Sequence, residues 1–150
     1  MGSNLADFMQ GYLLHLAHEM AEHGYVVQSV EGDEYSVPYS YTVGLHQSRG
    51  YELVMTGVPR TVAEPVLHNL VERFAHSAGP EPGVDLDGVL GGGYRIRMRR
   101  VDSLVNFAIL RALFGEDADP PYWQAVWPDP SGIFPGAPGC SLTPAGQPHF

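Results

Sequence analysis

Leu5, Phe8, Met9, Tyr12, Leu13, Leu16 and Met20 recur three and four positions apart, the spacing that lays apolar side chains on one face of an α-helix. Ser3 or Asn4 can cap this helix and Gly24 can stop it, so a helix is expected over residues 4–23. The period then changes. Tyr25–Val30 reads as a short strand and is followed by an acidic loop, Glu31-Gly32-Asp33-Glu34. Tyr39–Leu45, rich in aromatic and β-branched residues, reads as a second strand; after a turn at His46–Gly50, Tyr51–Thr56 reads as a third. Short polar links between these strands predict an antiparallel meander.

Gly57-Val58-Pro59 breaks the sheet pattern. Thr61 can cap a second helix, with Pro65 tolerated only in its first turn, and Val62, Val66, Leu67, Leu70, Val71 and Phe74 form its expected buried stripe. Residues 78–93 read as loop. Tyr94–Val101 alternates most cleanly, Asp102 or Ser103 can cap a third helix running to Phe114, and Tyr122–Trp127 reads as the last strand. From Pro128 the chain is rich in Pro and Gly, and an irregular tail is expected, held to the core by Ile133 and Phe134.

This order predicts an α+β fold: an antiparallel sheet of about five strands with three helices, packed mainly on one face. Gly44 and the run Gly91-Gly92-Gly93 allow a curl toward a half-barrel. With no internal repeat and no linker, the 150 residues suit a single domain, with a core over about 4–135 and a tail over 136–150.

Charge narrows the chemistry. The net charge is −9 and every cationic side chain is Arg. Without Lys there is no Schiff-base residue for pyridoxal phosphate and no P-loop lysine. An acidic chain makes a poor nucleic-acid binder and a poor partner for anionic membranes. The single Cys140 permits no intrachain disulfide and no cysteine-rich zinc site. Apolar runs are too short to span a bilayer, and the first residues do not read as a signal peptide, so a cytoplasmic location is expected. No cofactor or metal is expected; a small-molecule or peptide ligand and a homodimer remain open.

Candidate chemistry gathers in a few stretches. The first helix carries His15, His18, Glu19, Glu22 and His23. Glu22 stands where a zinc protease would need a second His, and most of these positions form a solvated face. His23 continues the apolar stripe and is expected to point toward the sheet as an acid, base or donor. Alternation places Tyr39 and Tyr41 on one face of their strand, with Ser40, Thr42, Gly44 and His46 on the other. Gly44 suggests a bulge or the close approach of a ligand. Glu52 lies across a short turn from His46, where a carboxylate can orient an imidazole for base work or simply form a cross-strand ion pair. Arg95, Arg97 and Arg99 share a strand face that suits an anion, or pairs with the protein's own carboxylates. Trp127 and Asp129, with Trp123 and Pro128, can wall a pocket or pin the tail.

The ordered pieces His23-Gly24-Tyr25-Val26-Val27, Pro38 to Leu45, Glu52-Leu53-Val54-Met55-Thr56-Gly57, Val126-Trp127-Pro128-Asp129, Gly132 and Phe134-Pro135 resemble the family catalogued as domain of unknown function 4262. The resemblance covers roughly residues 20–135. It implies a bacterial, mainly actinobacterial, cytoplasmic protein and brings no established activity. Tyr25 stands where the family usually has Trp, and Gly136 where it usually has an aromatic residue.

Two readings of function follow. In the first, the chain is a metal-free acid–base enzyme acting on a small organic or peptide substrate, in the setting of specialised metabolism. His23, Tyr41, His46 and Glu52 supply proton transfer, and Tyr39, Arg97, Trp127 and Asp129 hold the substrate. In the second, it is a non-catalytic binding or accessory module that grips a metabolite or protein through an aromatic patch around Tyr39 and Trp127. A metal site built from His and Glu residues is a third, weaker option. The first requires these side chains to converge.

Overall fold

A computed structural model describes residues 2–101, 107–143 and 145–150, with the side chains of residues 2 and 3 excepted. Among the described residues the elements are α1 (Gly2–His23), β1 (Val26–Val30), β2 (Tyr39–Val43), α2 (His46–Arg49), β3 (Glu52–Thr56), α3 (Arg60–Ala75), β4 (Asp85–Leu86), β5 (Ile96–Arg100), α4 (Ala108–Phe114) and β6 (Tyr122–Val126). The expected caps Asp102 and Ser103 lie outside the described residues. The helix they were expected to open is seen from Ala108 and stops before Gly115, as expected.

The fold is α+β, with one six-stranded sheet in the order β1-β2-β3-β6-β5-β4. The expected meander is present: β1 pairs antiparallel with β2, and β2 with β3. One expectation of pairing is corrected. The sheet is mixed rather than antiparallel, because β3 and β6 pair in parallel, with Glu52 opposite Tyr122 and Val54 opposite Gln124. It also stays open, with β1 and β4 at its edges, and is not closed into a barrel. The extra strand, β4, has two residues paired onto β5, and the extra helix, α2, is a single turn where a simple turn was expected.

The helices cover both faces of the sheet, not mainly one. Alternation along β3 sends Leu53 and Met55 to a cluster with Ala63, Val66, Leu67, Leu70 and Phe74 of α3. It sends Val54 the other way, to Leu16 of α1, Leu110 of α4, and Tyr41, Val43, Phe107 and Tyr122. All five residues of β3 are buried, as expected of a central strand with a parallel neighbour and both faces covered. Burying Leu53, Leu67 or Leu70 completely contributes about 1.5–3 kcal/mol each. Helix α3 opens at Arg60 after Pro59, with no side-chain cap, so Thr61 is a helical residue and not the cap. Ala63 takes the buried position expected of Val62, which is largely exposed.

The apolar stripe of α1 is only partly used. Leu16 is buried, whereas Leu5 and Phe8 are 67% and 68% exposed. The reason is length. A 22-residue helix runs about 33 Å, while five-residue strands span about 17 Å, so the first turns overhang the sheet.

The tail is irregular, as expected, and closely tied to the core. Phe134 is buried, with Arg97 stacked 4.1 Å over its ring. The carboxamide of Gln124 donates to Thr56 Oγ1 at 3.1 Å and to the Pro148 carbonyl at 2.8 Å, and accepts from the Phe150 N–H at 3.1 Å. Gly57 adopts φ 84°, and a Cβ there would collide with the Gly146 carbonyl oxygen, so this close approach of tail to sheet requires glycine.

Candidate functional site

Strand β2 ends at Val43. Gly44, at φ 98°, turns the chain into α2. Gly50, at φ 84°, closes that single turn by donating its N–H to the His46 carbonyl at 2.9 Å. Glu52 then opens β3, its own N–H donated to the Pro121 carbonyl at 2.9 Å. The short connection folds back so that the first amides of the turn face the Glu52 carboxylate.

That carboxylate is fully buried and meets four hydrogen-bonding groups. Oε1 accepts from Thr42 Oγ1 at 2.8 Å and from the Leu45 N–H at 3.1 Å. Oε2 accepts from the Gly44 N–H at 2.9 Å and lies 2.6 Å from His46 Nδ1. Two of the four are backbone N–H groups, which can only donate. Thr42 Oγ1 accepts the Leu53 N–H at 2.8 Å, which leaves its own hydrogen for Glu52. Burial pushes the Glu52 carboxyl above its usual range, and the bonds from His46, Thr42 and the backbone oppose that rise. The remaining proton sits between Oε2 and Nδ1. With Glu52 as acceptor on all four bonds, His46 donates from Nδ1, and the neutral imidazole in that tautomer has its lone pair on Nε2. The imidazole is held edge-on to Phe114 at 4.7 Å, and its side chain retains 22% exposure. An oriented imidazole beside a buried carboxylate can take up and return a proton.

Beside this pair lies an aromatic layer under α4. Tyr41 is buried and stacked on Phe107 at 4.0 Å. Burial raises its hydroxyl, the neighbouring Tyr39 adds to the rise, and the Ile109 backbone counters it. Tyr122 packs against Phe107 at 4.8 Å in an edge contact, and its hydroxyl has no hydrogen-bond partner among the described residues.

The other residues singled out in the sequence lie elsewhere. His23 does not point toward the sheet: it is 64% exposed and turns back onto Glu19 at 3.5 Å and Glu22 at 3.8 Å, carboxylates at the end of its own helix. These three groups each bring one ligand atom within 4.8 Å of the others, close enough to share an ion. Glu19 and His23 border a cleft of about 680 Å³ that α1 shares with Glu64 and His68 of α3. The space that a Gly44 Cβ would need is filled by Met20 Sδ of α1.

Arg97 is paired with Asp85 at 2.7 Å and 3.2 Å, which lowers the carboxyl and raises the guanidinium. Arg95 pairs with Asp87 at 2.8 Å, and Arg99 bonds Gln124 at 2.9 Å and the Phe150 carbonyl at 2.8 Å.

Tyr39 borders a groove between the acidic loop and the tail. Trp127 lies in a different, apolar groove and donates its indole N–H to the Thr56 carbonyl at 2.8 Å. Asp129 accepts from the N–H groups of Ser131, Ile133 and Ser141 at 2.8–2.9 Å, and from the Ser141 hydroxyl at 3.1 Å. Those donors, the Ser141 N–H foremost, hold its carboxyl below the usual range.

The structure therefore joins His46 to Glu52 and sets Tyr41 in the adjacent layer, while His23, Tyr39, Arg97, Trp127 and Asp129 are dispersed. Sequence reasoning missed Thr42 as the hydroxyl on Glu52 and Tyr122 as its neighbour. The shared strand face flagged Thr42, whereas nothing local could place Tyr122 beside Glu52. No curated protein and no solved structure matches the chain. Residues 19–141 match the family described as domain of unknown function (DUF4262), and the chain belongs to that family.

Proposed function

We propose that the chain is a small acid–base enzyme in which His46 transfers the proton and Glu52 orients it, acting on a small organic or peptide substrate. The observation that carries this reading is the 2.6 Å contact from His46 Nδ1 to a fully buried carboxylate, which leaves Nε2 as the basic nitrogen on a partly exposed ring. A purely structural ion pair has no need of an exposed imidazole edge; a proton-transfer group does. The dispersal of Arg97 and Asp129 into internal pairs removes them from substrate binding in this reading.

The test compares purified wild-type protein with His46→Gln on a bacterial small-metabolite extract, followed by mass spectrometry. A metabolite converted by the wild type and untouched by the variant supports the reading. Conversion by both, or by neither, overturns it.

A second reading, a non-catalytic binding module, is favoured by the apolar groove of about 290 Å³ beside Trp127, Tyr94 and Leu90. It expects a metabolite or peptide to be retained without change, with retention lost in Trp127→Ala and unaffected in His46→Gln.

A further inference from the structure

Tyr122 is 5% exposed, yet its hydroxyl has no hydrogen-bond partner among the described residues. Buried hydroxyls in folded proteins are nearly always paired, so an unpaired one calls for an explanation. Its position supplies one. In the parallel pair Tyr122 stands directly opposite Glu52, and register partners project from the same face of a sheet. The longer tyrosine passes the carboxylate and enters the layer beneath α4, where its ring meets Phe107. His46 meets Phe114 of the same helix. Burial, reinforced by the Glu52 charge, raises the hydroxyl well above its ordinary range, so it remains an O–H donor. A second buried donor without an acceptor, Nε of Arg111, lies on α4 itself. The unused Tyr122 hydroxyl, on the residue paired opposite the carboxylate that orients the base, describes a place for a ligand that brings acceptor oxygen.

We propose that Tyr122 is the oxygen-binding catalytic residue of this site, and that the substrate is a small carbonyl compound with an acidic C–H beside the carbonyl. This rests on the acid–base reading above. His46 Nε2 removes the proton from that carbon. The C–H electron pair becomes a C=C bond, and the carbonyl π pair moves onto oxygen, where the Tyr122 O–H donates to it. Return of the proton from Nε2 to oxygen, or to the far carbon of a C=C conjugated with the enolate where the substrate carries one, completes a tautomerisation or isomerisation. Proton and electrons balance, and no co-reactant is consumed. A donor aimed at the oxygen that gains charge stabilises the transition state more than the ground state.

The probe is 4-nitrophenol, whose phenolate resembles an enolate oxygen and whose ionisation is read by absorbance. Wild-type protein is expected to bind the phenolate and shift its ionisation. Tyr122→Phe, which removes only an unbonded hydroxyl, is expected to keep its melting temperature and bind about tenfold more weakly. In the wild type, the ¹³Cζ resonance of labelled Tyr122 is expected to move as the probe is added. Equal binding by Tyr122→Phe, no binding by the wild type, or a stationary Tyr122 resonance overturns the proposal. The two levels separate in the conversion assay. A metabolite reaction lost in His46→Gln but retained in Tyr122→Phe leaves the acid–base reading intact and removes Tyr122 from it. A reaction about 100-fold slower in Tyr122→Phe supports both.

Discussion

Gln147 and Trp127 exchange two hydrogen bonds: the Trp127 N–H donates to Gln147 Oε1 at 2.9 Å, and Gln147 Nε2 donates to the Trp127 carbonyl at 2.8 Å. A side-chain amide here behaves as one residue of a neighbouring strand, satisfying the backbone just beyond the end of β6. Gln147 is itself buried. Replacing it with Ala removes both bonds, and a loss of about 2 kcal/mol is expected, measured by urea unfolding. An unchanged midpoint would show that solvent substitutes for the tail.

Glu52 anchors the β2–α2–β3 connection as well as orienting His46. In Glu52→Ala the Gly44 and Leu45 N–H groups and the Thr42 hydroxyl lose their acceptor. Removing one partner of such a buried set costs about 3–5 kcal/mol. His46→Gln retains a side-chain donor and is expected to cost far less. Chemical denaturation of the two variants gives the comparison, and similar losses would contradict the hierarchy.

Asp129 makes the stability of the tail depend on pH. Its folded-state carboxyl lies below the ordinary value of 3.8, chiefly through the Ser141 N–H. A depressed carboxyl contributes stability that is fully present above the unfolded value and lost as pH falls through the folded one. The difference in melting temperature between wild type and Asp129→Asn is therefore expected to be constant from neutral pH down to about pH 5 and to shrink below about pH 4. A difference that persists at the acid end would refute the assignment.

Gly44→Ala tests how tightly α1 presses on the site. The residue sits at φ 98°, and a Cβ would overlap Met20 Sδ. Backbone strain and the clash together are expected to cost about 2 kcal/mol or more. If the clash contributes, Met20→Ala in the same background recovers part of the loss in thermal unfolding. No recovery would leave φ as the whole cause.

Local periodicity made α3, β5 and the β1–β3 meander legible, because each is set by neighbours a few positions away. The same reasoning placed His46 and Glu52 across one short connection, where they meet. It failed wherever a distant partner decides the outcome. The pairing of β3 with β6 depends on residues far apart in the chain, so Tyr122 could not be seen beside Glu52. Leu5 and Phe8 satisfy helical spacing, but spacing says nothing of how far the sheet extends beneath them. His23 followed the stripe in pattern, while in space it turned to the carboxylates Glu19 and Glu22. For Arg97 and Asp129 the sequence left both an outside ligand and an internal partner open, because Asp85 and Ser141 come near only once the chain is folded.

The parallel pairing of β3 and β6 has a kinetic consequence. Until β6 arrives, β3 is the outer strand of a hairpin-built half, and Glu52 stands at a wet edge with its N–H unanswered by Pro121. The last strand must then insert between β3 and β5, joining two halves separated by a long loop closure. Such non-local joins are slow. Before that join, a paired β1–β3 half leaves β3 as an open strand edge with which a neighbouring chain can pair.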